Sequence, residues 1–401
     1  MKRVFMVSAV ILFMTGLTAP LFVHNILYSE SNESQPFYFG VSFCGDTTAE
    51  AKLLIDRVKD YNNLFVLQSG PVGKNETATN EICDYAVAAG LKIIVYFGWF
   101  DPDCPWQVPW LDFAKQRWGD RFLGIYYYDE PGGIQIDYNW SNMFTRMQQR
   151  NTTLYQSLAS VIETYLAGTL PRDYDEAANR FIGAIQNDPD IKELKNRSIT
   201  AFTSDYALYW FDYLGGYDVL LAQFGWNHTL EQDIALIRGA ANLQNKSWGT
   251  IITWKYDHPP YLDTAENIYN QMRTSYEAGA EYIIIFNYPT HPEGNQYGTM
   301  TNEHFEALER FWKDTVKNPQ VIHGSTKAEA ALVLPRNYGC GMKHPDDRIW
   351  YWVPDKDSSQ IWELSRTLLD QYGLRLDIVY DDPAFPVEGK YEQIYYWNQT
   401  K

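Results

Sequence analysis

Two adjacent carboxylates, Asp129 and Glu130, close the segment Phe122–Tyr128, which apart from Gly124 is built entirely of aliphatic and aromatic residues. Acids at the end of such a run must be solvated or used, because a bare carboxylate is costly to bury. Neighbours on a regular strand face opposite ways, so both reach one place only where the chain bends. Pro131-Gly132-Gly133 follows at once and favours that bend. A pair of carboxyls in one cleft does acid/base work, one group delivering a proton while the other orients or stabilises charge. The bland alternative is structural, with one acid capping the next helix and the other in a salt bridge. Asp257 is a further candidate, as a nucleophile or base facing Glu130. Lys255 beside it has the character of a Schiff-base lysine, a weaker reading because no phosphate-binding glycine loop accompanies it.

The elements that must position these residues alternate between short apolar runs and amphipathic stretches. Eight strands are expected, at Phe37–Phe43, Leu64–Ser69, Lys92–Phe97, Phe122–Tyr128, Ser198–Thr203, Val219–Phe224, Gly249–Trp254 and Tyr282–Phe286. Their near-continuous apolarity is that of buried parallel strands, and the intervening helices predict a closed (β/α)8 barrel, a TIM barrel. The long gap after the fourth strand holds a helical insertion over about 138–170, expected to lie over the barrel mouth. Residues 36–319 make the barrel, and 320–401 a small α/β appendage with strands at Ala330–Leu334, Leu376–Tyr380 and Gln393–Trp397 around a helix at Ser358–Tyr372.

Active sites of such barrels sit at the C-terminal strand ends. There the sequence places Gln68, Trp99, Asp101, Asp129, Glu130, Asp205, Gln223, Trp226, Trp254, Tyr256, Asp257, Asn287 and Tyr288. Aromatic rings that cover C–H faces, with amides and carboxylates that hold hydroxyls, suit a carbohydrate. Trp99, Trp226 and Trp254, at three strand ends, are expected to form a substrate platform.

Tyr128-Asp129-Glu130-Pro131 resembles the fourth-strand motif of several glycoside hydrolase barrels. In the large clan of retaining β-glycosidases, the acid/base Glu usually follows Asn and the nucleophile is a Glu on the seventh strand. Here Asp129 takes the place of Asn, and the seventh strand ends Thr253-Trp254-Lys255-Tyr256-Asp257, without Glu. The Asp-Glu pair is more similar to that of families 20 and 123, the β-N-acetylhexosaminidases, whose substrate supplies its own 2-acetamido nucleophile. That resemblance implies that Glu130 protonates the leaving oxygen and later activates water. It implies that Asp129 orients the acetamido group, and that a Tyr such as Tyr256 or Tyr288 supports its oxygen. A two-carboxylate reaction between Glu130 and Asp257 is the alternative, the carboxyl separation deciding retention or inversion. A non-catalytic glycan-binding or envelope protein on the same kind of barrel is a third reading.

Composition narrows the partners. The 401 residues carry a net charge of −17, which excludes the basic footprint that nucleic acid requires. Aromatics reach 16%, with 14 Trp and 30 Tyr, more than a core alone needs. Lys2 and Arg3 precede an apolar run over residues 4–23, the pattern of a cleaved signal or an uncleaved anchor tethering the chain to a membrane. Asn-x-Ser/Thr sequons at Asn32, Asn75, Asn139, Asn151, Asn196, Asn227, Asn245 and Asn398 agree with an extracellular or cell-surface location. Cys44, Cys83, Cys104 and Cys340 permit disulfides. Neither a metal nor a cofactor is expected: no Cys/His cluster occurs, and Gly70-Pro71-Val72-Gly73-Lys74 is only half a phosphate loop, with Asn75 where Ser or Thr is needed.

Overall fold

In a computed structural model, eight parallel strands close into a barrel in chain order, β1 (Tyr38–Phe43), β2 (Leu64–Leu67), β3 (Lys92–Gly98), β4 (Phe122–Tyr127), β5 (Ala201–Asp205), β6 (Val219–Phe224), β7 (Ser247–Ile252) and β8 (Tyr282–Ile285). The structure describes residues 37–399 except 227 and 291–294, and of Leu154 only the backbone. The apolar N-terminal run and the sequons at Asn32 and Asn227 lie outside the described residues. All eight expected strands are present, within three residues of their expected ends.

The period of two explains why they were legible. Along β2, Leu64 and Val66 enter the barrel interior, while Phe65 and Leu67 face the surrounding helices. Ile94, Tyr126, Phe202, Leu221, Ile251 and Ile284 complete the interior, so the barrel is a packed core with both strand faces buried. The four cysteines are unpaired, with Cys83, Cys104 and Cys340 buried, so no disulfide staples the fold. Apolar burial on this scale holds the chain together without one.

After β4 come five helices: Pro131–Asp137, Trp140–Arg150, Thr153–Leu166, Tyr174–Asn187 and Pro189–Asn196. The second and third form the insertion, joined by Phe144 against Tyr165 (5.0 Å between rings). It touches the C-terminal segment, with Trp140 edge-on to Tyr351 at 5.4 Å. None of its described residues lines the two cavities at the strand ends.

The C-terminal segment forms a parallel three-stranded sheet, with β9 (Ala330–Leu334) between β10 (Leu376–Tyr380) and β11 (Gln393–Tyr396). It packs directly on the barrel, and residues from Phe37 onward form one compact unit. The joint is the helix Leu230–Gln244, buried continuously from Gln232 to Ala241. An outer barrel helix normally keeps a polar face; this one is covered by the barrel on one side and by β10 on the other. Its one buried cation, Arg238, bonds Asp377 of β10 at 2.8 Å and the carbonyls of Leu374 and Leu376 at 2.6 and 3.1 Å. Tyr391 donates to the other Asp377 oxygen at 3.0 Å.

Removing one partner of a buried, fully bonded pair strands the other charge. Arg238→Ala is expected to cost about 3–5 kcal/mol in urea unfolding. A loss below about 1 kcal/mol would show that the joint does not depend on this pair.

Candidate active site

The path to the site begins with a backbone reversal. β4 ends at Tyr127, and Tyr128 and Glu130 then adopt left-handed conformations (φ 58° and 57°) on either side of Asp129. Such conformations cost a non-glycine residue of order 1–3 kcal/mol each and persist where the surroundings enforce them. Here the enforcement is visible. Tyr128 N–H bonds the Gly98 carbonyl at 2.8 Å, and Glu130 N–H bonds the Ser204 carbonyl at 2.9 Å. The helix that starts at Pro131 is pinned by Asp205, whose buried carboxylate accepts the N–H groups of Gly132 (2.6 Å) and Gly133 (2.8 Å). The two glycines allow this approach: a Cβ on Gly133 would lie 2.1 Å from the Tyr206 ring, and one on Gly132 2.5 Å from the Ala207 carbonyl. The reversal turns Asp129 and Glu130 into one cavity, as the sequence required of a bent strand.

That cavity, about 140 Å³, lies at the C-terminal strand ends. Gln68, Asp129, Glu130, Ser204, Gln223, Trp226, Thr253, Trp254 and Phe286 line it, drawn from β2, β4, β5, β6, β7 and β8 or the loops that follow them. Asp129 is held by one oxygen. Tyr126 from inside the barrel donates to Oδ1 at 2.5 Å, and Ser204 Oγ donates to the same atom at 2.9 Å. Gln223 Nε2 donates to Ser204 Oγ at 2.8 Å, which leaves the serine proton for Asp129. Oδ2 takes no hydrogen bond from the described residues. Burial pushes the Asp129 carboxyl up to about 6; the Tyr126 and Ser204 hydrogen bonds oppose this, and the neighbouring Glu130 charge adds to it. Burial and the adjacent Asp129 charge push the Tyr126 phenol up as well, so it stays a neutral donor.

Glu130, partly exposed, has a carboxylate that no described residue engages. Two further polar atoms lining the cavity, Gln68 Oε1 and Trp254 Nε1, are buried without a partner among the described residues. Unsatisfied buried groups are rare enough to need an explanation. An acceptor and a donor together, beside two carboxylates, match a hydroxyl-rich ligand. Trp254 is the centre of an aromatic cluster, 5.1 Å from Tyr288, 5.5 Å from Tyr261 and 6.5 Å from Trp226.

A second space, about 550 Å³, opens on the other side of Glu130. Tyr206, His228, Gln232 and Asp233 of the barrel line it together with Lys343, His344 and Asp347, which follow β9. Glu130, Gln223 and Trp226 line both spaces.

The structure therefore brings Gln68, Asp129, Glu130, Gln223, Trp226 and Trp254 together. The others stand apart. Asp257 is on an exposed loop, its carboxylate paired with His258 at 2.6 Å, which together with that ring's charge holds it below the usual range. It lines neither space, so no carboxylate faces Glu130 from the seventh strand. Tyr256 is exposed beside His258, and Tyr288 packs edge-on to Trp254. Trp99 is 53% exposed and lines neither space, so the platform reduces to Trp226 and Trp254. Asp101 is tied to Lys74 at 2.8 Å and to the Asp103 N–H. Asn287 is buried as a loop brace, donating to the Tyr297 carbonyl and accepting from Met300 N–H. Asp205 is scaffold, as described. Lys255 lies 3.6 Å from Asp263, outside both spaces. Among the described residues no cluster of three or more His, Cys, Asp or Glu is arranged to hold a metal ion.

Ser204 and Tyr126 carry no distinguishing signal in the sequence, being a small hydroxyl and one tyrosine among three in a row. The residues of the second space were legible only in part. Lys343-His344 is a short basic pair after the glycines at 339 and 341 in an acidic chain, but nothing in its spacing ties it to the barrel.

No family model and no curated protein matches the chain. Similar solved structures are barrels of several chemistries. An α-L-fucosidase isoenzyme 2 from Paenibacillus thiaminolyticus shares 12% identity at a TM-score of 0.47, covering 89% of this chain and 59% of that one. The endo-β-1,4-mannanase from Thermotoga petrophila shares 8% at 0.41, over 72% and 79%. A 3-deoxy-D-arabino-heptulosonate 7-phosphate synthase from Thermotoga maritima shares 9% at 0.38, over 71% and 87%. Likeness at this level is likeness of fold.

The raised Asp129 carboxyl makes a stability prediction. Between its ordinary 3.8 and about 6, the folded state holds a proton that the unfolded state has released, so stability falls as pH rises through that window. Asp129→Asn, which cannot ionise, is expected to unfold at higher urea than wild type at pH 7, by on the order of 1–3 kcal/mol. Below pH 3.8 both carboxyl states are neutral and the difference should vanish. Equal or lower stability of the variant at pH 7 would sink this account.

Proposed function

We propose that this chain is a glycoside hydrolase that removes 2-acetamido sugars by substrate-assisted catalysis. The observation that carries the reading is the state of Asp129. One oxygen is fixed by Tyr126 and Ser204, the other is free, and Glu130 stands next in the same cavity. A carboxylate so held can accept the substrate's amide N–H through Oδ2. The amide oxygen then attacks the anomeric carbon, and the bond to the leaving oxygen breaks as Glu130 delivers its proton to that oxygen. The positive charge on the cyclised acetamido group develops beside the Asp129 charge. Water attacks the anomeric carbon next, Glu130 takes its proton, and the ring opens to the free sugar. No nucleophile on the seventh strand is needed, which agrees with the placement of Asp257. Trp226 and Trp254 supply apolar cover, and Gln68 and the Trp254 N–H supply hydroxyl contacts.

The exported location belongs to the same reading. The six described sequon asparagines, at 75, 139, 151, 196, 245 and 398, are all solvent-exposed, as glycan attachment requires.

The test is hydrolysis of aryl N-acetylglucosaminides and N-acetylgalactosaminides beside the plain glucosides and galactosides. Turnover is expected for the N-acetyl sugars alone, with block by a thiazoline inhibitor. Glu130→Gln is expected to lower kcat by about 10²–10⁴-fold. Because Asp129 must be ionised, activity should fall as pH drops through about 6. Turnover of plain hexosides would overturn the acetamido mechanism. A Glu130→Gln enzyme as fast as wild type would overturn the acid assignment, and binding without turnover would favour a glycan-binding protein.

A further inference from the structure

The two spaces meet along Glu130, Gln223 and Trp226, and they differ in size and in origin. The smaller is lined by barrel residues alone, Ser204 and Ile251 among them, and at about 140 Å³ is below the roughly 300–1,000 Å³ of sites for drug-sized ligands. It has room for little more than one sugar ring. The larger, about 550 Å³, is completed by the loop after β9. If Glu130 protonates the leaving oxygen, the atoms that leave lie on the larger side.

The polar groups on that side fall into two sets. Three carboxylates are already engaged. Asp137 accepts from Tyr206 Oη at 2.9 Å, Asp233 pairs with His228 at 3.2 Å, and Asp347 accepts the Lys343 N–H at 2.6 Å. Lys343 and Gln232 each carry a side-chain atom with no hydrogen-bond partner among the described residues. The Lys343 ammonium, with no carboxylate within ion-pair distance among those residues, lies over the Tyr206 ring, 3.5 Å from its centre. Gln232 is only 2% exposed, and its Oε1 is buried without a partner there. Burial lowers the Lys343 ammonium, and the surrounding Asp charges partly restore it. One unpaired donor and one unpaired acceptor match hydroxyl groups. The four carboxylates of the chamber, Glu130 included, against one lysine and two histidines disfavour an anionic occupant.

Resting on the reading of Glu130 as the acid, we propose that the larger chamber binds the leaving part of the substrate as a neutral, hydroxyl-rich saccharide, gripped between the barrel and the Lys343–Asp347 loop. The C-terminal segment then determines which glycans the enzyme accepts.

The test uses the full chain with two substrates of the same terminal N-acetyl sugar: its aryl glycoside and its neutral β-linked trisaccharide. Wild type is expected to cleave both. In Lys343→Ala, the ratio of kcat/KM for trisaccharide to that for aryl glycoside is expected to fall about 10–100-fold, the loss of a hydrogen bond to a charged group. Lys343→Arg, which keeps the charge over Tyr206, should recover much of that ratio. A sialylated terminal disaccharide unit on the leaving side should be cleaved worse than the neutral one. A ratio unchanged within twofold in a folded Lys343→Ala protein overturns the proposal. So does faster cleavage of the sialylated substrate than of the neutral one, a result that needs no variant. Failure of the acid assignment shows separately, as Glu130→Gln activity on the aryl glycoside alone.

Discussion

Asp205 is wholly buried at the end of β5, and its two oxygens accept four backbone N–H groups, those of Gly132, Gly133, Tyr206 and Ala207. These come from the segments that follow β4 and β5, so a single carboxylate sets the register between them. Burial pushes this group up, and the hydrogen bonds pull against that. Everything at the barrel mouth depends on this junction. It fixes the start of the helix after Glu130, hence the left-handed turn at Glu130, hence the direction in which Asp129 and Glu130 leave the strand. The chain spends strain at Tyr128 and Glu130 because the junction leaves no other path.

The same junction explains the division of labour between the two acids. Asp129 sits over the barrel interior, where Tyr126 rises from the core to meet it and Ser204, steadied by Gln223, holds it from the side. It is a fixed group with one open oxygen. Glu130 is one residue further out, on the rim between two spaces, with its carboxylate unclaimed. The proposed roles fit this placement: a group proposed to exchange protons with leaving oxygen and water lies on the rim, and one proposed to stabilise a nearby charge lies in the drier interior.

The C-terminal segment is part of this arrangement through a different interaction. Arg238 and Asp377 join β10 to a barrel helix that has lost its polar face. With the sheet docked there, the loop after β9 reaches the chamber beside Glu130 and places Lys343 against Tyr206. A barrel helix with no solvent face and a loop at the mouth are two ends of one packing solution.

The sequence by itself determined the barrel. Eight apolar runs with alternating inward and outward residues have few other ways to bury both faces, and the strand bounds follow from where that apolarity stops. It also marked a candidate site, because the strand-end rule turns a one-dimensional position such as Asp129-Glu130 into a place. It could not sort the strand-end residues by role. Asp205, Asp101 and Asp257 are the same kind of residue at the same kind of position. Only tertiary structure decided that the first is a buried acceptor of backbone N–H groups, the second is tied to Lys74, and the third is paired with a neighbouring histidine in solvent. Nor could it bring Lys343 to Glu130 across more than 200 residues. Periodicity is local and survives in sequence, whereas the partner of a polar group is settled by which chain segments the packing brings within about 3 Å.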